Sequence, residues 1–157
     1  MKKVFILLIA FILTGCSNQP TLTENGEIAD SYLQKLGYEV VSYEGESMII
    51  FTKPRLTDMP DEQIWGVQYT EPDEYLDKEI LLEKFLIKNH PLDDQFDMGK
   101  TNATVMTLNG EVIGGWSFPH SKEPLVGAPY SIDGKTIEEI HGDWQKWNNE
   151  WKSKYKK

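Results

Sequence analysis

Histidine and aspartate side chains are the groups in this sequence that are best suited to catalysis or metal binding. His90 is followed by Asp93, Asp94 and Asp97, and His120 lies farther along the chain. A histidine beside a carboxylate can act as a general base in hydrolysis, and the two groups together can hold zinc. One hypothesis is therefore a hydrolase that uses His90 or His120 with an aspartate.

The spacing of these residues does not match a metal-binding motif. The histidines lack the i, i+4 spacing of His-Glu-x-x-His, which places both imidazoles on one face of a helix. A calcium loop has glycine at its sixth position and a bidentate glutamate at its twelfth, whereas a loop that starts at Asp93 has Met98 and Thr104 there. We therefore predict neither a metal nor a cofactor, and we interpret residues 93–97 as an acidic loop in solvent.

Motifs for common catalytic nucleophiles are missing as well. The sequence contains no Gly-x-Ser-x-Gly and no Walker loop, which are the patterns that expose a serine or cradle a phosphate. Glu138 and Glu139 are explained by their favourable position at the start of a helix. We assign no catalytic residue.

A β-hairpin provides the clearest local structure. Residues 102–118, NATVMTLNGEVIGGWSF, form two β-rich runs around Asn109-Gly110, which tolerates the positive φ angles of a type I′ turn. The Gly114-Gly115 pair can let a ligand approach the sheet, but a β-bulge explains it better. A two-residue turn predicts three cross-strand pairs: Leu108 with Glu111, Met106 with Ile113, and Thr104 with Gly115.

The second strand of this hairpin and the histidine segments are the candidates for binding. The strand ends in an aromatic pair, and the histidine segments add polar groups. The possible binding surface comprises Trp116, Phe118, His90, Asp93, Asp94 and His120.

The C-terminal residues predict one amphipathic helix. Thr136 and Glu139 have the spacing of a capping box at its start. Apolar residues then recur at steps of three and four, the period of one helix face, and we favour packing of this face on the sheet. Its members are Ile137, Ile140, Trp144, Trp147, Trp151 and Tyr155.

The lysine-rich end of this helix allows a second interpretation. Residues 143–157 hold five lysines and two acidic residues, although the whole chain carries a net charge of −9. Aromatic rings beside lysines suit the interface of an anionic membrane. The residues that would face the membrane are Trp151, Lys152, Lys154, Tyr155, Lys156 and Lys157.

The remaining elements complete an α+β pattern. Residues 27–36 predict a helix with Ile28, Tyr32, Leu33 and Leu36 inward and Gly37 as its stop. A hairpin is predicted around Glu44-Gly45-Glu46, with its strands at residues 38–43 and 47–53. Residues 54–62 are then predicted to form a loop, and residues 63–69 a strand. Residues 76–88 are ambiguous, with composition favouring a helix in the first part and Phe85-Leu86-Ile87 suiting a strand end. We expect an antiparallel sheet of about 4–6 strands packed by an N-terminal and a C-terminal helix.

The first residues predict export. Met1-Lys2-Lys3 is basic, and Val4 to Leu13 is an unbroken run of ten apolar residues. A membrane-spanning helix needs about 20, whereas a basic start before about 7–15 apolar residues is typical of a secretory signal peptide.

The sequence Leu13-Thr14-Gly15-Cys16 resembles the lipobox of bacterial lipoproteins. This resemblance implies that the Cys16 sulfur receives diacylglycerol and that a peptidase cleaves before it. Two acyl chains give a stable membrane anchor, and the only cysteine is then unavailable for a disulfide. The short lysine-rich signal and the domain size are similar to those of small envelope lipoproteins of Gram-positive bacteria. The implied organisation is a signal peptide over 1–15, a lipidated tether over 16–25 and one globular domain over 26–157.

Three functions remain open for such a lipoprotein. We favour a non-enzymatic binding module on the outer face of the cytoplasmic membrane, which would bind an unidentified envelope protein or ligand through its acidic face or residues 114–118. The alternatives are an envelope hydrolase and an immunity or exclusion lipoprotein that blocks a toxin or phage. The net charge of −9 disfavours nucleic acid as a partner, because phosphate contacts need clustered lysine and arginine.

Replacing Cys16 with serine should move the protein out of the membrane fraction, because serine cannot form the thioether to diacylglycerol. Ser17→Ala, one position away, is the matched control and should leave fractionation unchanged. Wild-type material with a free thiol at Cys16 and residues 1–15 still attached, as detected by mass spectrometry, would contradict the lipid anchor.

Overall fold

The chain folds as a five-stranded antiparallel sheet with helices on both of its faces. The structure is a computed structural model that describes residues 20–156, so Cys16 and Lys157 lie outside the described residues. The sheet confirms the predicted α+β class with helices near both ends of the chain. The strands are β1 (Glu39–Ile50), β2 (Glu79–Lys88), β3 (Thr101–Leu108), β4 (Glu111–Pro119) and β5 (Tyr130–Ser131). The helices are α1 (Glu24–Lys35), α2 (Asp61–Gly66), α3 (Pro91–Gln95), α4 (Ile137–His141) and α5 (Trp144–Tyr155), with 3₁₀ turns at Lys53–Thr57 and Pro72–Glu74.

The strands follow one another across the sheet in chain order, and each face of the sheet has its own core. On the first face, Ala29 and Leu33 of α1 pack on Phe85, Ile87 and their neighbours in β3. The second face is covered by residues from the first 3₁₀ turn, α2 and α5. This second core includes Phe51, Leu56, Ile64, Trp65, Ile80, Leu82, Met106, Trp151 and Tyr155.

Helix α1 confirms the predicted N-terminal helix but begins three residues earlier. The Thr23 hydroxyl accepts a hydrogen bond from the Gly26 N–H at 2.9 Å, which satisfies one of the free donors at a helix start. Gly37 ends the helix region with a φ of 91°, as predicted. Leu36 was expected to point inward but is exposed, whereas Ala29 is fully buried.

Strand β1 replaces the hairpin that was predicted around Glu44-Gly45-Glu46, and that prediction was wrong. The chain does not reverse there, because residues on both sides of Gly45, from Glu39 to Ile50, pair with β2. Register shifts beside Val40 and Tyr43 mark two irregularities, and Gly45 adopts a φ of 105°. The glycine therefore serves a bulge within one strand and not a turn between two.

The strand predicted over residues 63–69 and the helix favoured for the first part of residues 76–88 were both wrong. The expected strand over 63–69 begins as helix α2, and the residues expected to start as a helix lead into strand β2. Both faces of β2 carry buried side chains, so a clean alternation of apolar and polar residues is absent. In α2, the aromatic Trp65 is buried beside Phe51 and Tyr75, and this tertiary packing overrides its strand-like sequence.

The β3–β4 hairpin confirms the type I′ turn, with φ values of 53° at Asn109 and 78° at Gly110. Leu108 pairs with Glu111 as predicted, but the two other predicted pairs are wrong by one residue. A bulge beside Thr107 shifts the register, so that Met106 pairs with Gly114 and Thr104 with Trp116. The bulge predicted from the glycine pair is therefore present.

Both glycines of this pair are in close contact with the chain's own atoms. A Cβ atom at Gly115 would lie 2.6 Å from the Thr104 carbonyl oxygen, and one at Gly114 would lie 2.4 Å from Oε1 of Gln68. That same Gln68 oxygen accepts the Gly115 N–H at 2.9 Å. Because these two residues have no side chains, the Gln68 side chain can reach the backbone of β4.

The C-terminal segment forms two helices and not the single helix that was predicted. The capping box of Thr136 and Glu139 is confirmed at the start of α4. Gly142 then adopts a φ of 80°, and the Asp143 side chain caps α5 by accepting the Lys146 N–H at 2.9 Å. The break redirects the apolar stripe, so Trp144 is 45% exposed while Trp151 and Tyr155 are buried.

Glu83 is a fully buried acid at the middle of the first face. Its carboxylate accepts a hydrogen bond from the Tyr43 hydroxyl at 2.7 Å and lies 3.4 Å from the Thr23 hydroxyl at the start of α1. Glu46 is its cross-strand neighbour. Burial is the main cause that raises the pKa of Glu83 above its ordinary value, and the charge of Glu46 adds to it.

The raised pKa of Glu83 predicts that the contribution of this carboxyl group to stability is lost as the pH rises. The folded state holds the proton more tightly than the unfolded state, so this contribution is full below the ordinary pKa of 4.5 and is lost as the pH passes the folded value. Glu83→Gln should raise the melting temperature at neutral pH by a few degrees, and its difference from the wild type should shrink as the pH falls toward 4.5. Glu79→Gln, an exposed acid on the same strand, is the control. Identical pH profiles for wild type and Glu83→Gln would contradict this role.

Candidate functional site

His90 is a structural residue at the start of α3 and not an exposed ligand. Its Nδ1 accepts the Leu92 N–H at 3.2 Å, and its Nε2 lies 3.2 Å from the Ile132 carbonyl oxygen, to which it donates. The ring is 2% exposed, and this burial lowers the pKa of the His90 imidazole. Both ring nitrogens are thus engaged within the fold.

Asp93 is also buried, which corrects the prediction of a solvent-exposed acidic loop at this position. Its carboxylate accepts hydrogen bonds from the His90 N–H at 3.2 Å and from the Thr101 hydroxyl at 2.7 Å. Asp94 and Asp97 are exposed, as predicted. The segment therefore forms a capped helical turn that ties α3 to β3.

The other members of the predicted binding surface are dispersed. Nδ1 of the partly exposed His120 lies 3.1 Å from Oδ1 of Asn102. Trp116 packs against the second core, and only Phe118 borders a large cavity. No cluster of three histidine, cysteine, aspartate or glutamate side chains suited to a metal ion occurs among residues 20–156.

Trp151 and Tyr155, the two aromatic residues of α5 that were predicted to face a membrane, are buried in the domain. Trp151 is buried, and its indole N–H donates to the Leu56 carbonyl oxygen at 2.6 Å. The Tyr155 hydroxyl lies 2.7 Å from Asp73 and 2.9 Å from Glu71. Lys154 contacts the same two carboxylates, at 2.7 and 2.8 Å, and Lys152 approaches Glu62 at 3.9 Å.

Lys156 is the one predicted membrane-facing residue in the described range that is exposed without a described ion pair. Within residues 20–156, none of the helices has both the length and the apolar character needed to cross a bilayer. The packing of α5 therefore uses most of its aromatic and basic side chains inside the domain.

An apolar groove at the end of β4 is the candidate functional site. It encloses about 370 Å³, which falls in the range of about 300–1,000 Å³ typical of ligand sites. The loop between β4 and β5 forms one wall, and α2, α4, the start of α5 and the residues that follow α3 contribute the others. Its large apolar and aromatic residues are Met59, Phe96, Met98, Phe118, Leu125, Val126, Tyr130, Ile137 and Trp144.

Local features of the chain place these side chains at the surface. The positive φ of Gly142 and the Asp143 cap turn Trp144 away from the core. Phe96 contacts the Tyr130 ring edge to face, with centroids 5.8 Å apart. Val126, in the loop that joins β4 to β5, is fully exposed, and Met59 is 75% exposed. None of these positions can be explained by a need to fill the two cores.

The polar groups of the groove are acidic or neutral. Glu62 and Glu138 are the charged residues in its lining. The Glu62 carboxylate is held by the Asn148 side-chain amide and approached by Lys152. Glu138 is exposed in the first turn of α4 and has no ion-pair partner within the described part of the chain.

Sequence analysis identified Phe118 but missed the rest of the groove. Its other residues come from segments that are distant in sequence, and Ile137 and Trp144 had been predicted to pack on the sheet. A usable signal was present in residues 123–129, EPLVGAP, where two large apolar residues stand in a proline- and glycine-rich loop. Loops expose such residues, and exposed apolar groups mark binding surfaces when they cluster.

Comparisons of the chain with protein-family models, with curated proteins and with solved structures found no match.

Substitution of two tryptophans should separate the core from the groove. Trp151→Ala should lower the free energy of unfolding by about 3–5 kcal/mol, the usual cost of removing a buried aromatic side chain. Trp144→Ala should cost less than about 1 kcal/mol, because Trp144 belongs to neither core and is 45% exposed. Denaturant unfolding of both variants tests the difference, and equal losses would show that α5 is not docked as described.

Proposed function

We propose that this protein is a membrane-anchored binding protein of the cell envelope, held by diacylglyceryl-Cys16 on the extracytoplasmic side. Its apolar groove receives an apolar part of the partner. The observation that supports this proposal is the concentration of exposed apolar side chains around one cavity. Five of the eleven large hydrophobic residues that are exposed among residues 20–156 line this groove: Met59, Phe96, Leu125, Val126 and Trp144.

This arrangement favours binding because the exposed side chains gain little from the fold. Burying a large apolar side chain contributes about 1.5–3 kcal/mol relative to leaving it in water. Val126 makes none of this gain within the domain, since it is fully exposed. Contiguous apolar surface of this kind usually marks a site that a partner covers.

The hydrolase hypothesis gains no support from the geometry at either histidine. His90 has both ring nitrogens hydrogen-bonded inside the fold, and His120 contacts the neutral side chain of Asn102. A general base must reach the proton it removes, and the buried His90 ring is closed off from the groove lining. The geometry therefore favours binding over hydrolysis as the function of this protein.

Cysteine labelling in intact cells tests both the location and the groove. Cys16 is the only native cysteine, so Val126→Cys in the acylated protein introduces a single reactive thiol. A membrane-impermeant maleimide should label Val126→Cys several-fold more slowly in cells than in the detergent-purified protein, because the partner covers the groove. Met48→Cys, on the exposed edge strand β1, should react equally in both.

Two results would count against the proposal, each for a separate reason. Equal labelling of Val126→Cys in cells and after purification would mean that nothing covers the groove. Failure of the reagent to label Met48→Cys in intact cells would place the domain on the wrong side of the membrane.

A further inference from the structure

The charge of the apolar groove limits the chemistry of its occupant. Its lining contains the carboxylates of Glu62 and Glu138 and no lysine, arginine or histidine. Glu62 is fixed by Asn148 and is close to Lys152, so part of its charge is compensated within the domain. Glu138 has no such compensation in the described residues and remains available at the rim.

The residues next to the lining in sequence extend this negative character. Asp58 precedes Met59, Asp97 follows Phe96, and Asp143 precedes Trp144. The nearby basic residues are fewer, and one of them, Lys135, already lies 3.5 Å from Asp133. Lys100 and Lys146 also lie within two positions of the lining, and His120 directly follows Pro119. Acidic residues therefore outnumber basic ones in the segments that line the apolar cavity.

We propose, on the basis of the function proposed above, that the groove binds a peptide segment of a partner protein in which apolar side chains stand beside lysine or arginine. The apolar side chains fill the cavity, and the cationic group lies against Glu138. Opposite charges at the rim of an interface steer encounter and select partners. Apolar anchors in a groove supply the binding free energy.

A lipid acyl chain is the competing occupant, and the charges disfavour it. A fatty acid or an anionic phospholipid would bring a negative headgroup to a rim whose lining charges are both carboxylates. A negative headgroup beside these carboxylates would be repelled by them, and this repulsion would lower the affinity for the lipid. A cationic peptide gains attraction at the same position.

Three designed peptides test the charge requirement. Each has leucines at the same helical spacing, and its remaining residues are lysine, glutamine or glutamate. Binding is measured by fluorescence anisotropy with the full acylated protein in phosphatidylcholine nanodiscs, after subtraction of protein-free nanodiscs. The lysine peptide should bind at least about tenfold more tightly than the glutamate peptide, and this ratio should shrink as salt is added.

Two variants locate the interaction. Glu138→Lys should weaken binding of the lysine peptide by about three- to tenfold and leave the glutamine peptide unchanged. Glu27→Lys is the matched control, because Glu27 is also an exposed acid in the first turn of a helix. Val126→Ser should weaken both peptides, since it removes apolar contact without changing charge.

The possible results separate this inference from the function on which it rests. If the lysine and glutamine peptides bind equally and Val126→Ser weakens both, the groove binds apolar peptides but the charge requirement is wrong. If palmitate binds in a Val126-dependent manner and no peptide does, the occupant is lipid and the inference is overturned. If Val126→Ser changes nothing for any of these ligands, the groove itself fails as a binding site.

Discussion

The burial of strand β2 on both faces of the sheet is the constraint on which the rest of the structure depends. Phe85 and Ile87 point toward α1, whereas Ile80 and Leu82 point toward the layer that contains α2 and α5. Because neither set can be left in water, a helical layer must cover each face. Trp147, Trp151 and Tyr155 of the C-terminal helix therefore pack in the second core, whereas Trp144 lines the apolar groove at the end of the sheet.

The parts of the fold that sequence analysis predicted are those governed by local interactions. The Asn109-Gly110 turn and the capping box at Thr136 depend on a few adjacent residues, whose conformational preferences do not change with the surroundings. Strand β2 and helix α2 were predicted wrongly because their states are set by long-range packing. A strand buried on both faces loses its alternating pattern, and Trp65 adopts helical geometry to reach Phe51.

The candidate site was less predictable than the fold, for a related reason. His90 was a candidate for binding because an imidazole can bind ligands or transfer protons. An imidazole can equally form hydrogen bonds with buried backbone groups, and His90 accepts one from the Leu92 N–H. The groove is assembled from residues as far apart in sequence as Met59 and Trp144. A single backbone conformation, at Gly142, decides whether Trp144 joins the core or the groove, and no periodicity in the sequence reports that conformation.

The way in which α1 starts has a mechanical consequence. The first described residues lie against the sheet, with Pro20 beside Gly45 and the Thr23 hydroxyl near Glu83. In a chain anchored at Cys16, any tension reaches α1 before it reaches a strand. Helix α1 is attached to the sheet by side-chain packing, whereas the strands are joined by continuous backbone hydrogen bonds. Separation of α1 from the sheet would expose Phe85 and Val105, so one half of the core depends on a cover that side-chain contacts alone hold in place.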